Sequence, residues 1–355
     1  MGGGWQGGGI MKKNYIYSDI LKAISICFVI LMHSLQYKAN ADYQKIYREF
    51  GFDFWVAQAV SVFVIITGFH YAASLEGLSK EETWYRKDIF LKKLLRIIPA
   101  FTFIFLLWNV YMLFAGKYKI GIDSLFLYLK GGAGPGGYYT PVVLQFLIIF
   151  PVIYYILKKS LIFGSFFVFS LNILYEYMVY NGVIRSSFHR LCGIRLIMGL
   201  MFGIIIYRYA GQLRKSVIPH LMFAGGGIFL LYHNYGGYRT QFISSWICNS
   251  FMGMAYSAGI VFFACYHEDL LEQLFEKPVS KKILRFIRYI GKASYHIFLV
   301  QQLWFCISFP LRDRIRIRYA YIIDLSICII LGCAFYFIYS LIEGRMGKKV
   351  KINPS

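Results

Sequence analysis

A histidine inside the first apolar run is the residue best placed to do chemistry. The segment from Tyr17 to His33 carries three ionisable side chains, Asp19, Lys22 and His33, among residues that are otherwise mostly apolar. Ionisable groups are costly at membrane depth and usually face a protein interior or a water-filled cavity. Lys22 and His33 are eleven residues apart. At roughly 100° per residue that step closes to within about 20° of three whole turns and rises about 16 Å. Both side chains therefore share one helix face, and Asp19 lies on nearly the same stripe. A histidine shielded from bulk water on such a face can serve as a general base or acid. The bland alternative is a histidine bonded across helices with no chemistry.

Three further stretches carry reactive or ligand-binding residue types. In Phe90-Leu-Lys-Lys-Leu-Leu-Arg-Ile-Ile-Pro99, Lys93 and Arg96 are three apart and share a face. They form either a phosphate clamp or a basic anchor at a helix start. The stretch from Gly131 to Gln145 holds five glycines and a proline before Tyr138 and Tyr139. Such a backbone can approach a ligand closely, or simply form a loose outer loop. It fits no nucleotide-binding motif, since no Lys-Ser/Thr pair follows and no strand precedes it. The stretch from Tyr289 to Gln302 places Lys292, Ser294, Tyr295, His296 and Gln301 along one apolar helix. Gly291 and Ser294 there also suit close helix packing. His70, just after Thr67-Gly-Phe69, is another intramembrane candidate. His189, His220, His233 and His267 sit near span ends and read as structural.

The elements that must position these residues are membrane helices. The 355 residues are 58% hydrophobic and 19% aromatic, with only 15% charged, where a soluble domain carries about a quarter. About ten apolar segments are long enough to span at roughly 20 residues each: 18–37, 52–75, 97–115, 138–157, 161–181, 191–208, 217–234, 241–266, 288–309 and 319–342. No loop is long enough for a separate domain, so the sequence predicts one all-α polytopic domain over 17–343. A Gly-rich and basic tail (1–16) precedes it, expected to be disordered, and a basic cytoplasmic tail (344–355) follows. The net charge of +21 is read as topology and anionic-lipid contact, not nucleic-acid binding. With the N-terminus inside, inner loops hold roughly 22 basic residues and outer loops roughly 13. That predicts a multi-pass protein of the inner membrane with both termini cytoplasmic, although the outer run Arg312 to Arg318 opposes the rule. The seven cysteines include no C-x-x-C pair, so neither a disulfide framework nor a metal site is expected. The sequence sets no oligomeric state.

These elements, in this order and spacing, resemble the membrane-bound acyltransferase 3 family. Lys22, ten residues and His33 resemble the family's Arg, ten residues and His, with Lys for Arg. Phe63-Val-Ile-Ile-Thr-Gly-Phe69 is similar to its Phe-Phe-x-x-Ser-Gly-Phe element. Lys93-Leu-Leu-Arg96 ahead of Pro99 resembles its Arg-x-x-Arg before Pro. The run from Gly291 to Gln301 resembles Gly-x-x-Ser-Tyr-x-x-Tyr-Leu-x-His, with Gln301 in place of His. Gln145 and Phe146 match part of a Glu-x-Gln-Phe-Tyr run whose Glu is Val143 here. The resemblance covers 17–343 and shows no appended SGNH-type domain. It implies transfer of an acyl group, most often acetyl from acetyl-CoA, to a hydroxyl of a cell-envelope glycan or lipid-linked sugar. His33 would be the catalytic base. Lys22, Lys93 and Arg96 would bind the donor, while Asp19, Tyr139, Gln145, Ser294, Tyr295 and Gln301 would contact or support substrate. The alternative is a transporter or flippase for a glycan or lipid-linked sugar, which shares the polytopic build and buried charges. A non-catalytic scaffold is a third reading, with no sequence feature in its favour. Dependence on acyl-CoA separates the enzyme from the transporter.

Overall fold

Inside a hydrocarbon layer every backbone N–H and C=O needs an internal partner, which a helix supplies within itself. The computed structural model describes residues 15–38, 43–76, 87–116, 121–236, 247–308 and 317–350. It holds fourteen α-helices and no strand among the described residues. They are α1 (Ile16–Lys38), α2 (Tyr43–Glu49), α3 (Ala59–Leu75), α4 (Lys87–Phe114), α5 (Ile122–Leu129), α6 (Tyr139–Lys159), α7 (Leu161–Tyr180), α8 (Ser186–Leu191), α9 (Ile197–Leu213), α10 (Ile218–Tyr235), α11 (Phe251–Tyr266), α12 (Glu268–Leu274), α13 (Pro278–Ile307) and α14 (Ile317–Val350). The tail 1–14, the arginine run as far as residue 316 and residues 351–355 lie outside the described residues.

The protein is an all-α polytopic membrane protein. Each predicted apolar segment overlaps a helix, with residues 241–246 and 309 outside the described residues, and among the described residues seven helical stretches are long and apolar enough to cross a membrane. The other three fall short for identifiable reasons. The α10 helix contains His220, His233, Asn234 and three consecutive glycines; α11 has only 16 residues; α13 carries Lys281, Lys282, Arg285, Arg288 and Lys292 in its first half. Large apolar side chains point outward on α4 (Phe103, Leu106, Val110), α7 (Ile162, Phe163, Phe166) and α14 (Ile330, Leu331, Phe337). A belt of this size suits lipid contact.

Contacts along the helices define two ends. Asp19 of α1 meets Arg288 of α13, and His33 meets Phe305, so these two helices run parallel. Trp304 of α13 bonds Asp324 of α14 while Tyr289 bonds the Cys333 carbonyl, so α14 runs back against them. One core joins α1, α4, α13 and α14 around Ile30, Ile297 and Leu299. A second joins α3, α6 and α9 around Val64, Phe146 and Leu200. The closest α1–α13 approach is at Gly291, where any Cβ would overlap the Asp19 carbonyl.

Pro99 interrupts α4. Proline has no N–H for the carbonyl four residues earlier, here Leu95. The Tyr339 hydroxyl of α14 donates to that carbonyl at 2.7 Å. Two residues on, Tyr295 of α13 donates to the Ile97 carbonyl at 3.3 Å. Neighbouring helices thus hold the turn that carries Arg96.

Candidate active site

At one end of the molecule cations from three helices gather around the start of α1. Asp19 is 7% exposed. Its carboxylate pairs with Lys22 Nζ at 2.8 Å and with Arg288 Nε at 3.3 Å. Lys93 of α4 sits with Nζ 3.1 Å from the Tyr71 ring centroid and donates to Ser74 Oγ at 3.4 Å. The Arg96 charge acts on Lys22, Lys93 and His70, and Lys292 also acts on Lys22. Beside them Ser18 Oγ and His70 Nε2 are 2.6 Å apart. Glu76, which accepts from Tyr154 at 3.3 Å, and Glu343, which acts on Tyr339, are further acids at this end. Glu268, which accepts from Ile16 N at 2.8 Å, is a fourth acid here, and Arg208, which acts on Tyr154, is a sixth cation. Six cations therefore stand with four carboxylates among the described residues. This surplus of positive charge, delivered as NH donors, suits a phosphate-bearing ligand.

At the other end of α1 the buried Asp324 carboxylate of α14 accepts from Ser34, the residue after His33. His33 is half-buried, and its Nδ1 lies 3.1 Å from Gln36 Oε1. An amide oxygen only accepts, so Nδ1 carries the proton and Nε2 keeps its lone pair. Nε2 faces the glycine stretch. A Cβ on Gly136 would stand 3.4 Å from His33 Nε2 and 3.0 Å from Phe298 Cε2. Gly136 also has φ +78°, a conformation that favours glycine. Gly134 rests on α13, where a Cβ would stand 2.6 Å from Gln302 Cβ. The stretch is therefore packed against α13 and His33, not a loose loop.

Tyr139, which opens α6, packs on Phe298 with centroids 5.5 Å apart. With Tyr295 it forms an aromatic layer between the two ends. Ser294 is buried in α13. Gln301 is fully buried, and its amide O and N have no hydrogen-bond partner among the described residues. Gln145 stands apart from this group: its amide donates to the Leu191 carbonyl at 2.6 Å and accepts from Gly193 N at 2.8 Å. It pins the turn before α9.

A family model described as an acyltransferase domain matches residues 15–343. The chain belongs to the acyltransferase 3 family. Among curated proteins and among solved structures, none matches. A membrane acyltransferase of this family needs an acyl donor, and its described residues hold no group of three or more His, Cys, Asp or Glu arranged for a metal ion. Two features of this acyltransferase escaped the sequence reading. Arg195, 2% exposed, lies over the Tyr138 ring at 4.7 Å, and Asp324 is 1% exposed in α14. Each is a charge within an apolar segment, and that signal was available from sequence.

Proposed function

We propose that this protein transfers an acyl group, acetyl first among candidates, from cytoplasmic acyl-CoA to a hydroxyl of a cell-envelope carbohydrate. The carrying observation is the arrangement along α1. A cation cluster surrounds its first turns, and a histidine with an available Nε2 lies about 16 Å further along the same face at 1.5 Å per residue. The reading makes the basic end cytoplasmic, in agreement with the loop charges, and makes all ten long helices membrane spans. Lys93 and Arg96 hold the phosphates of coenzyme A, and Lys22 guides its pantetheine arm. That extended arm carries the thioester along α1 toward the glycine stretch.

His33 Nε2 then takes the proton of the acceptor hydroxyl. The hydroxyl oxygen attacks the thioester carbonyl, the C–S bond breaks, and coenzyme A departs as a thiolate that the imidazolium or solvent protonates. Gln36 fixes the tautomer that makes Nε2 the base. The acceptor, a glycan or lipid-linked sugar, approaches from the glycine-stretch side.

The test uses purified protein in lipid nanodiscs with radiolabelled acetyl-CoA. Wild type is expected to bind the donor and turn it over. Arg96→Ala should lose binding, and His33→Ala should keep binding while turnover falls about 10²- to 10⁴-fold. Wild-type turnover by His33→Ala overturns the base assignment. Absence of donor binding across acyl-CoA chain lengths overturns the donor assignment.

A further inference from the structure

The direction of the His33 side chain depends on how α1 is rotated about its own axis. Apolar packing is non-directional and fixes that rotation poorly. A polar contact one residue away fixes it directly. We propose that Asp324 on α14 is the positioning residue for His33, an inference that rests on the acyl-transfer reading above.

Asp324 is 1% exposed within an apolar stretch. A carboxylate there must be hydrogen-bonded to persist. Its Oδ2 accepts from Ser34 Oγ at 2.7 Å, and its Oδ1 accepts from Trp304 Nε1 at 2.8 Å. Ser34 directly follows His33 and is 2% exposed. Trp304 directly precedes Phe305, whose ring lies 6.3 Å from the His33 ring. One carboxylate therefore ties α1 and α13 to α14 at the level of the imidazole. Successive helix residues point about 100° apart. Holding Ser34 toward α14 thus turns His33 away from it, toward Phe298, Phe305 and Gly136. At the other end of the α1–α13 contact Arg288 ties α13 to Asp19, about four turns from the imidazole and too remote to set its direction. The clasp at Asp324 sets that direction.

Two variants separate the clasp from the charge. In Asp324→Asn the amide oxygen still accepts from Trp304, and the amide nitrogen donates to Ser34 Oγ, which accepts in place of donating. Asp324→Leu keeps similar volume and removes the bonds to Ser34 and Trp304. In nanodiscs, Asp324→Asn should retain kcat within about fivefold, the worth of one perturbed hydrogen bond. Asp324→Leu should lose about 100-fold in kcat through a misplacement of the order of 1 Å, with donor affinity unchanged. A second readout needs no turnover: the rate at which diethyl pyrocarbonate modifies His33, followed by mass spectrometry. Asp324→Leu should change that rate and Asp324→Asn should not. If wild type turns over no acyl-CoA, the functional reading fails while the labelling still tests the clasp. Asp324→Leu with wild-type kcat and labelling overturns the proposal. So does an equal loss in Asp324→Asn, which would assign the effect to charge. If Asp324→Leu does not fold, Ser34→Ala and Trp304→Phe each remove one arm and should each cost about fivefold in kcat; no effect in either variant overturns the clasp.

Discussion

The two ends of α1 solve opposite problems. At the basic end, charged groups are many, partly paired, and spread over α1, α3, α4 and α13. At the histidine end, the surroundings are a glycine backbone, amides, aromatic rings and the buried Asp324 carboxylate. Coulombic attraction falls slowly with distance and tolerates an ångström of error. Proton transfer requires hydrogen-bond reach and tolerates almost none. The first end can therefore recruit an anion with long flexible side chains. The second depends on rigid backbone contacts that set where one nitrogen points. Variants at the two ends should accordingly fail in different ways.

Beyond His33 and Asp324 themselves, a large effect distinguishing them is expected at Gly136. An alanine there meets an unfavourable backbone angle and also places a methyl group against Phe298 and His33 Nε2. Turnover should fall about 10- to 100-fold by displacement of the reacting groups, while donor affinity stays at the wild-type value. Gly182→Ala is the matched control. Gly182 has φ +72° but open space around it, so it should cost about 1 kcal/mol of stability and leave turnover intact. Equal turnover losses in both variants, measured with matched stability, would show that backbone strain and not site occupancy is responsible.

A smaller effect is expected at the basic end. Lys22→Met removes one cation but leaves Asp19 paired with Arg288, so the buried carboxylate keeps a partner and the fold survives. Donor affinity should weaken about tenfold, as for loss of one charge-assisted contact. Its dependence on salt should become shallower, because fewer charges remain to be screened. Unchanged affinity with an unchanged salt slope would remove Lys22 from the donor site.

Sequence disclosed this contrast unevenly. The shared face of Lys22 and His33, and that of Lys93 and Arg96, follow from helical period alone. That α4 brings its pair to the start of α1 came from family resemblance, because no local pattern encodes which helices touch. Gln145 shows the converse: the resemblance offers it as a substrate or support residue, and its amide is engaged by the Leu191–Gly193 turn, which no local pattern reveals. Arg288 and Tyr339 have roles that exist only through contacts 269 and 244 residues away, whereas Asp324 declares itself as a charge in an apolar segment and only its partner, 290 residues away, is hidden. The spans follow the same logic. Strongly apolar segments such as α4 and α14 declare themselves, whereas α13 carries five basic residues in its first half, of which Arg288 and Lys292 act on the start of α1.

The smallest expected effect lies between the two ends, at Tyr339. Tyr339→Phe keeps the ring against His296, where centroids are 5.1 Å apart, and deletes only the hydroxyl that satisfies the Leu95 carbonyl. The carbonyl lost its helical partner to Pro99, so in an apolar environment it would be left unsatisfied. The cost should be about 1 kcal/mol, visible as a lowered thermal midpoint in nanodiscs. Arg96 sits in the same turn, so donor affinity should weaken by no more than about twofold, a fraction of one hydrogen bond, and kcat at saturating donor should be unchanged. A Pro99→Ala, Tyr339→Phe pair completes the cycle. Restoring the backbone N–H should make the hydroxyl dispensable, so the double variant should recover most of the stability that Tyr339→Phe loses. If the two losses simply add, the tyrosine is not compensating for the proline, and the turn bearing Arg96 is held by something else.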